Sequence, residues 1–385
     1  MAERCAVIGI GQTRHAAKRD DVSMPGLVRE AAEEALADAG MDWTDIDAVV
    51  LGKAPDMFEG VVMPELSMAG ALGAVGKPMF RVHTAGSVGG STGCVASNLV
   101  RAGVHKKVLA VAYEKQSESN AMWALSQRFP FSPPVLAGAG GYFAPVIREY
   151  IRRSKAPDHI GHLVAVKDRK HGLRNPKAHL HIPDISLDMV AKSPMLWAPI
   201  RYLETCPSSD GAAAVVLVDE GHADAGSCAP AWVLGAEMRS EPMLFAGRDE
   251  VSPLAGSVGA KALYEQAGIT DPRRQIDTAE LYVPFSWYEP MWLENLGFAE
   301  PGEGWKMVDD GITTLGGALP INPSGGVMCT NPIGASGLLR FIEAARQVRG
   351  QAAAHQVDGA RLALGHAYGG GTQFFAMWLV SADKP

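Results

Sequence analysis

The sequence lacks a marked excess of either charge, a long apolar run and any cysteine pattern. Thirty-five Lys and Arg stand against 42 Asp and Glu, which argues against nucleic acid as the main ligand. No run of about 18 uncharged apolar residues predicts a membrane span. The N-terminus, with Glu3 and Arg4, does not resemble a signal peptide. The five cysteines form no metal-like cluster, so we expect reduced thiols, a cytoplasmic location and no metal site.

What the chain does contain is an alternation of strand-like and helix-like segments over 385 residues. Short apolar strands are predicted at 6–10, 48–51, 108–112 and 212–218, and helices at 27–39 and 90–102. Residues 115–205 interrupt this rhythm with prolines and histidines, so we expect them to form an insertion on the surface of the sheet. The pattern predicts an α/β protein.

The second half of the chain repeats the first. Leu36 to Gly40, followed by an apolar strand, corresponds to Tyr264 to Gly268, at an offset of about 230 residues. Glycine-rich helix starts, each followed by a strand, recur at 89–114 and 334–366. We therefore predict two α/β halves, 1–230 and 231–385, with glycine-rich loops that converge where ligands bind in such folds.

Residues 82–91 are the most informative segment of the first half. Small residues around Gly86 and Ser87 join a predicted strand to a predicted helix, and the backbone N–H groups there would suit a developing oxyanion. Ala-Gly-Ser-Val-Gly also resembles a relaxed nucleophile elbow, with His366 as the conceivable base. The alternative interpretation is that Ser87 caps the helix.

Three segments of the second half place polar groups after predicted strands. Tyr282 ends one strand, Asn331 lies in a small-residue loop that opens a helix, and His366 and Tyr368 precede the glycines that end at Gly371. Each segment lies beside a glycine loop at a position that matches its duplicate. These side chains are therefore candidate catalytic residues.

These segments carry a resemblance to the thiolase superfamily of the sterol-carrier-protein type. The chain is more closely similar to the actinobacterial lipid-transfer-protein homologues of steroid side-chain degradation. The resemblance runs nearly end to end, through 114–126, 167–169, 206–211, 284–298 and 331–340. It implies a duplicated, five-layer αβαβα thiolase fold, with the insertion in its N-terminal half, and at least a homodimer.

The chain departs from true thiolases at their catalytic positions. Gly86 stands where the family has its nucleophilic cysteine, Tyr282 and Val283 replace a His-Asp pair, and Asn331 replaces a loop histidine. Neither Cys94 nor Cys329 is an obvious substitute. A thiolase-type acyl-enzyme is therefore not expected.

The resemblance implies retro-aldol cleavage of a branched β-hydroxyacyl-CoA, because related lipid-transfer proteins are aldolases with a tyrosine at the position of Tyr282. Ionising a phenol at pH 7 costs about 4 kcal/mol, so we expect Tyr282 to be assisted by His366 or Tyr368. Tyr368 is the predicted second proton carrier. Two alternatives remain: a Ser87-dependent hydrolase or acyltransferase, and a non-catalytic carrier of acyl-CoA or lipid.

The resemblance also implies how ligands and partners bind. The substrate brings its own coenzyme A, so no separate cofactor is expected, and the phosphates would lie along the insertion. The candidate phosphate ligands are Lys167, Arg169, Lys170 and Arg174. Related aldolases work with a small protein of an OB-fold and a zinc ribbon, so we expect a heterotetramer around a homodimer. The aromatic segment 285–298 is a candidate for that interface, or else a buried helix.

Overall fold

A nine-stranded mixed β-sheet organises the computed structural model, which describes residues 3–54, 63–118, 138–242 and 247–385. The strands are β1 (Cys5–Gln12), β2 (Ala48–Lys53), β3 (Met79–Val82), β4 (Lys107–Lys115), β5 (Met195–Trp197), β6 (Ile200–Arg201), β7 (Asp210–Asp219), β8 (Ala231–Ser240), β9 (Thr278–Glu280), β10 (Leu362–Gly369) and β11 (Phe374–Ser381). Strands β5 and β6 form a separate two-stranded sheet.

Helices in the described residues flank this sheet on both sides. They are α1 (Met24–Ala39), α2 (Glu65–Ala71), α3 (Val88–Arg101), α4 (Gly138–Ser154), α5 (His159–Gly172), α6 (Leu187–Lys192), α7 (Leu254–Ala267), α8 (Pro272–Gln275), α9 (Tyr288–Asn295), α10 (Gly304–Asp309), α11 (Gly326–Cys329) and α12 (Ile333–Val348). The alternation of strands and helices predicted from the sequence is confirmed.

The large sheet consists of two half-sheets whose strand orders correspond except for the additional edge strand β3. The order is β3-β2-β4-β7-β1 in the first and β9-β10-β11-β8 in the second, so that β2, β4, β7 and β1 correspond to β9, β10, β11 and β8, and β1 pairs with β8 where they join. The equivalent helices α1 and α7 both end at a glycine in the left-handed conformation, Gly40 and Gly268. The predicted duplication is therefore confirmed in the strand order and in the helix ends.

Five layers result from the positions of four helices. Helices α3 and α12 contact each other and strands of both half-sheets, so they form the central layer. Helix α1 packs on β1 and β7, and α7 packs on β8 and β11, so these two cover the outer faces. The predicted αβαβα fold is confirmed.

The described part of the predicted insertion is less superficial than expected. Helix α5 buries Val164 and Ala165 together with charged side chains, and His171 at its end bonds through Nδ1 to the carbonyl of Asn322, 3.0 Å away. The insertion thus packs against the loop that leads to α11. Residues 119–137 of the insertion lie outside the described residues.

The two central helices cross at glycines, where their backbones nearly touch. A Cβ added to Gly89 would lie 2.7 Å from the amide nitrogen of Leu338 and 2.8 Å from the carbonyl oxygen of Gly334. A Cβ on Gly337 would lie 2.5 Å from the amide nitrogen of Gly90. This crossing brings the first turns of α3 and α12 together.

We expect Gly89→Ala to lower the free energy of unfolding by about 1–3 kcal/mol, because the added methyl group would meet backbone atoms that cannot move independently. Gly70→Ala in α2 is the matched control, since a Cβ there meets nothing within 4 Å. Thermal unfolding followed by circular dichroism measures both. Equal melting temperatures for Gly89→Ala and wild type would contradict the close crossing.

Candidate active site

The first contact of the site joins the ends of two parallel strands. Strands β9 and β10 pair with Glu280 opposite Gly365, so Tyr282, two residues after the end of β9, lies beside His366 in β10. The amide of Tyr282 donates a hydrogen bond to Nδ1 of His366 over 3.4 Å. Burial lowers the pKa of His366 to about 3, so the ring is neutral. Because Nδ1 accepts, the proton is on Nε2, which has no hydrogen-bond partner within the described residues.

The hydroxyl of Tyr282 points to the side chain of Asn331. It donates to Oδ1 of Asn331 over 3.4 Å, and Oγ of Ser336 donates to the same oxygen over 2.7 Å. Burial raises the pKa of Tyr282. The phenol is therefore protonated at neutral pH, and it acts as a hydrogen-bond donor in the resting site.

The backbone of Asn331 is fixed on both sides by side chains from the first half of the chain. Its amide donates to Oγ of Ser209 over 3.1 Å, and its carbonyl accepts from Nε2 of Gln116 over 2.6 Å. Nδ1 of His179 lies 2.8 Å from the same Ser209 hydroxyl. The sequence did not indicate Ser209 or Gln116 as site residues, although Ser209 directly precedes the buried strand β7 and Gln116 directly follows β4.

Cys206 is the other residue that the sequence interpretation missed. Nδ2 of Asn331 donates to Sγ of Cys206 over 3.1 Å. In the sequence the five cysteines form no pattern. The position of Cys206, in the short loop before β7, gives no signal that its side chain contacts the distant loop of Asn331.

Aromatic rings enclose the side of the site next to Tyr368. The Tyr368 ring is stacked on Tyr288 at 5.5 Å and contacts Trp292 and Tyr282 edge-on at 4.8 and 5.4 Å. Nε1 of Trp292 donates to the carbonyl of Tyr282 over 2.9 Å. The Tyr368 hydroxyl is buried and has no hydrogen-bond partner within the described residues. The structure thus brings together all four predicted catalytic side chains.

The loop before α3 lies against the end of β10. A Cβ on Gly86 would lie 3.6 Å from the carbonyl oxygen of Tyr368 and from Cα of Gly369, which are ordinary contacts. Ala85 has a positive φ of 52° and turns the chain into the helix. There is therefore space for a side chain at position 86, but the protein has none.

The Ser87 hydroxyl is not placed as either sequence interpretation required. It donates to the carbonyl oxygen of Thr84 over 2.7 Å, it is fully buried, and it makes no capping bond to α3. Its hydrogen bonds therefore stay within its own loop. Gly371 has a positive φ of 64°, and its carbonyl accepts bonds from Tyr142 and Arg248.

Cys94 and Cys329 are structural. Sγ of Cys94 lies 3.6 Å from the carbonyl of Met377 inside the core, and Sγ of Cys329 lies 3.3 Å from the carbonyl of Asp168. Both side chains are fully buried, and burial raises both thiol pKa values, that of Cys329 to about 12.

The predicted row of phosphate ligands divides into buried and exposed residues. Nζ of Lys167 lies 2.5 Å from Glu289 and 3.1 Å from Asp168, and the guanidinium of Arg169 bonds to two backbone carbonyls. The expectation that Lys167 and Arg169 face a phosphate is corrected, because both are buried in contacts within the protein. Lys170 and Arg174 are exposed and line a cavity of about 340 Å³ beside α5.

The aromatic segment that follows Tyr282 is a buried helix, which is one of the two alternatives given by the sequence. Phe285, Trp287, Tyr288, Trp292 and Phe298 are all at least 95% buried, so this segment is core and not an exposed patch. Burial of the strand end against α9 explains the aromatic content. These side chains therefore do not form an exposed interface.

Across residues 3–54, 63–118, 138–242 and 247–385, no group of three His, Cys, Asp or Glu side chains could hold a metal ion. Among the helices of that same part of the chain, none is long and apolar enough to cross a bilayer.

Similar proteins agree with the fold. Residues 236–381 match the family described as "Thiolase C-terminal domain-like". Acetyl-CoA acetyltransferase of Methanothermobacter thermautotrophicus is 29% identical over 95% of this chain and 96% of its own length. Sterol carrier protein 2 of Homo sapiens is 30% identical over 95% of this chain and 70% of its own length.

Two further relatives carry lyase or aldolase names. The 17-hydroxy-3-oxo-4-pregnene-20-carboxyl-CoA lyase of Mycobacterium tuberculosis is 30% identical over 91% of this chain and 92% of its own length. A solved structure titled "Ltp2-ChsH2(DUF35) aldolase" matches with a TM-score of 0.84 and 27% identity, over 99% of this chain and 98% of the other. The chain therefore belongs to the thiolase superfamily, as a thiolase-like protein of the lipid-transfer type.

We expect Gly86→Cys to fold normally yet not to restore thiolysis, because burial lowers the pKa of His366 to about 3 and so makes this imidazole too weak a base to take the proton of the new thiol. The measurement is CoA-dependent cleavage of a 3-ketoacyl-CoA, followed by loss of the thioester. Gly86→Ala serves as the control for the added side-chain volume. Rapid thiolysis by Gly86→Cys alone would show that the remaining residues still form a thiolase site.

Proposed function

We propose that this protein cleaves a branched β-hydroxyacyl-CoA by a retro-aldol reaction, which yields a ketone and a shorter acyl-CoA. The observation that carries the proposal is the empty position of Gly86 beside an otherwise assembled site of Tyr282, Asn331, His366 and Tyr368. Such a site can stabilise an enolate, but it has no nucleophilic side chain at position 86 that could form an acyl-enzyme. The lyase and the aldolase among the similar proteins favour the same reaction and suggest a steroid or sterol side chain as the acyl group.

The thioester oxygen gains negative charge when the Cα–Cβ bond breaks. Backbone N–H groups of the Gly86 and Ser87 loop, at the start of α3, and Nδ2 of Asn331 are the proposed donors to that oxygen. The glycines up to Gly371 complete this side of the site. These donors are held by backbone and buried side-chain contacts, so they need little rearrangement during the reaction.

Tyr282 is the proposed donor to the β-oxygen of the substrate. Burial raises its pKa, so the phenol keeps its proton and can stabilise negative charge on that oxygen. A protonated phenol cannot also accept the hydroxyl proton. The reaction therefore requires another group that accepts the proton of the substrate's β-hydroxyl.

Coenzyme A is the proposed occupant of the cavity beside α5. Lys170 and Arg174 line this cavity, together with apolar side chains such as Leu163 and Leu315. Exposed cations can pair with the phosphates of coenzyme A, and the neighbouring apolar side chains can contact its less polar chain. This proposal keeps the two exposed members of the predicted row and leaves out the two buried ones.

The hydrolase or acyltransferase that would use Ser87 has little support, because its hydroxyl is bonded to Thr84 and fully buried. The carrier alternative predicts binding without turnover. Mass spectrometry after incubation with a branched β-hydroxyacyl-CoA separates these functions. A released ketone with a shorter acyl-CoA supports the aldolase, and intact thioester supports the carrier.

We expect Tyr282→Phe to lower the rate of that cleavage by about 10²–10⁴-fold while acyl-CoA binding is retained. Tyr264→Phe is the matched control, because it also removes a buried hydroxyl, which bonds to the carbonyl of Leu296 at 2.8 Å away from the site. Product formation is followed by mass spectrometry and binding by calorimetry. A Tyr282→Phe rate within a few-fold of wild type would remove this phenol from the mechanism.

A homodimer flanked by two copies of an OB-fold and zinc-ribbon protein is the proposed assembly. The aldolase structure's title names two components, which favours a partner for this chain as well. Strand β3 lies at the outer edge of the sheet and exposes 39% of Phe80, so it offers an edge where a second copy could pair.

We expect the co-expressed pair to elute as a heterotetramer in size-exclusion chromatography with light scattering. The chain expressed alone is the control, and its mass should equal that of a homodimer. Full cleavage activity of the chain alone, with no increase in mass when the partner is added, would contradict the assembly.

A further inference from the structure

Cys206 forms hydrogen bonds with both of the loops that carry the candidate site, the loop after Tyr282 and the loop of Asn331. Its amide donates to the carbonyl of Pro284 over 2.8 Å, two residues beyond Tyr282, and its sulfur accepts the bond from Nδ2 of Asn331. The Asn331 amide therefore spans the gap between the phenol of Tyr282 and the thiol of Cys206. Sγ and the phenol oxygen lie at opposite ends of one side-chain amide.

A buried hydroxyl that lacks a partner lies beside this thiol. The Tyr368 side chain is 2% exposed, and its hydroxyl has no hydrogen-bond partner within the described residues. Tyr368 is close enough to Cys206 and Tyr282 for their charges to act on its pKa. A buried polar group without a partner indicates that something else, such as substrate, completes its hydrogen bonding.

A buried cation, Arg169, is hydrogen-bonded to the residue that precedes Cys206. The guanidinium of Arg169 donates to the carbonyl of Thr205 over 2.8 Å, directly before Cys206, and also to the carbonyl of Met328. No carboxylate in the described part of the chain forms an ion pair with Arg169 within 4.0 Å. A positive charge that is bonded to neutral carbonyls can stabilise a nearby anion.

We propose that the thiol of Cys206 carries the proton from the β-hydroxyl oxygen of the substrate to Cα of the departing enolate. This inference rests on the proposed retro-aldol function. It replaces the expectation that Tyr368 is the second proton carrier, and it makes Arg169 a positioning residue for the thiol.

The proton transfer balances without a further reactant. The step starts from the thiolate form of Cys206, which is the minor form at neutral pH because burial raises the pKa of the thiol to about 11. This thiolate takes the hydroxyl proton, the C–O bond becomes C=O, and the Cα–Cβ bond breaks with its electron pair entering the thioester enolate. The new S–H group then gives the same proton to Cα, which regenerates the thiolate. The net result is transfer of one proton from oxygen to carbon.

The order of acidity within the site agrees with this role. Burial raises the pKa of Cys206 to about 11, and Arg169 and Asn331 act in the opposite direction. Burial raises the pKa values of Tyr282 and Tyr368 further. Among these three groups, Cys206 is therefore the first to ionise.

Alkylation tests whether this thiol is accessible and titrates as required. In a Cys228→Ser background, which removes the exposed cysteine, iodoacetamide should label Cys206, because Cys5, Cys94 and Cys329 are fully buried. The rate should rise about tenfold per pH unit between about pH 7 and 9, since the thiolate fraction rises that way below the pKa. Saturating acetyl-CoA should protect the thiol. Absence of labelling, or labelling that acetyl-CoA does not slow, would overturn the proposal.

Asn331→Ala gives a second measurement on the same thiol. It removes the amide donor to Sγ, so the thiolate is less stable and alkylation at a fixed pH should slow by about 10–100-fold. Tyr264→Phe should leave the rate unchanged. An equal or faster rate in Asn331→Ala would contradict the link between the amide and the thiol.

Hydrogen exchange at Cα tests the catalytic role without any C–C cleavage. Acetyl-CoA incubated with wild-type protein in D2O should gain deuterium at Cα, and Cys206→Ala should slow this exchange by about 10²-fold or more. Cys206→Ser should remain slow, because a serine hydroxyl has nearly the same size but is far less acidic. Recovery of the wild-type rate in Cys206→Ser would show that position 206 has only a packing role.

The two proposals fail in different ways. Cys206-dependent exchange in a protein that releases no ketone would refute the aldolase but retain Cys206 as the proton carrier at Cα. Cleavage of a β-hydroxyacyl-CoA at an unchanged rate by Cys206→Ala would refute the role of Cys206 but retain the aldolase.

Discussion

The close crossing of α3 and α12 is the constraint on which the rest of the structure depends. Gly89 of one helix and Gly337 of the other have so little space that a Cβ added to either would collide with the backbone of the opposite helix. The two helices touch both half-sheets and hold them as one body. Because both helices start at the same edge, their N-terminal loops meet there and provide one wall of the site each.

Burial determines the charge state of the site that these loops enclose. His366 is neutral because its pKa falls, and Tyr282 keeps its proton because its pKa rises. The same physical effect therefore removes an imidazolium and a phenolate from the centre of the site. Arg169 supplies a permanent positive charge at the edge of this neutral cluster, where it is bonded to carbonyl oxygens.

Basic residues of α5 and the turn after it have different surroundings. Lys167 is buried and pairs with Asp168 and Glu289 where it borders the cavity beside α5, whereas Lys170 and Arg174 line the same cavity as exposed side chains. In the sequence all of them form a single basic run. The difference arises from helical geometry, which turns neighbouring residues by about 100° toward different surroundings.

The sequence by itself determined the α/β alternation and the duplication, and it was enough to select Tyr282, Asn331, His366 and Tyr368 as candidate site residues, because strand periodicity and glycine loops are local patterns. Only the tertiary structure decided that the aromatic residues after Tyr282 are core, that Ser87 bonds to Thr84, and that Cys206 contacts Asn331. Burial and long-range contacts depend on which elements pack together. A single cysteine before a strand contains no information about the loop, more than a hundred residues away, that it will meet.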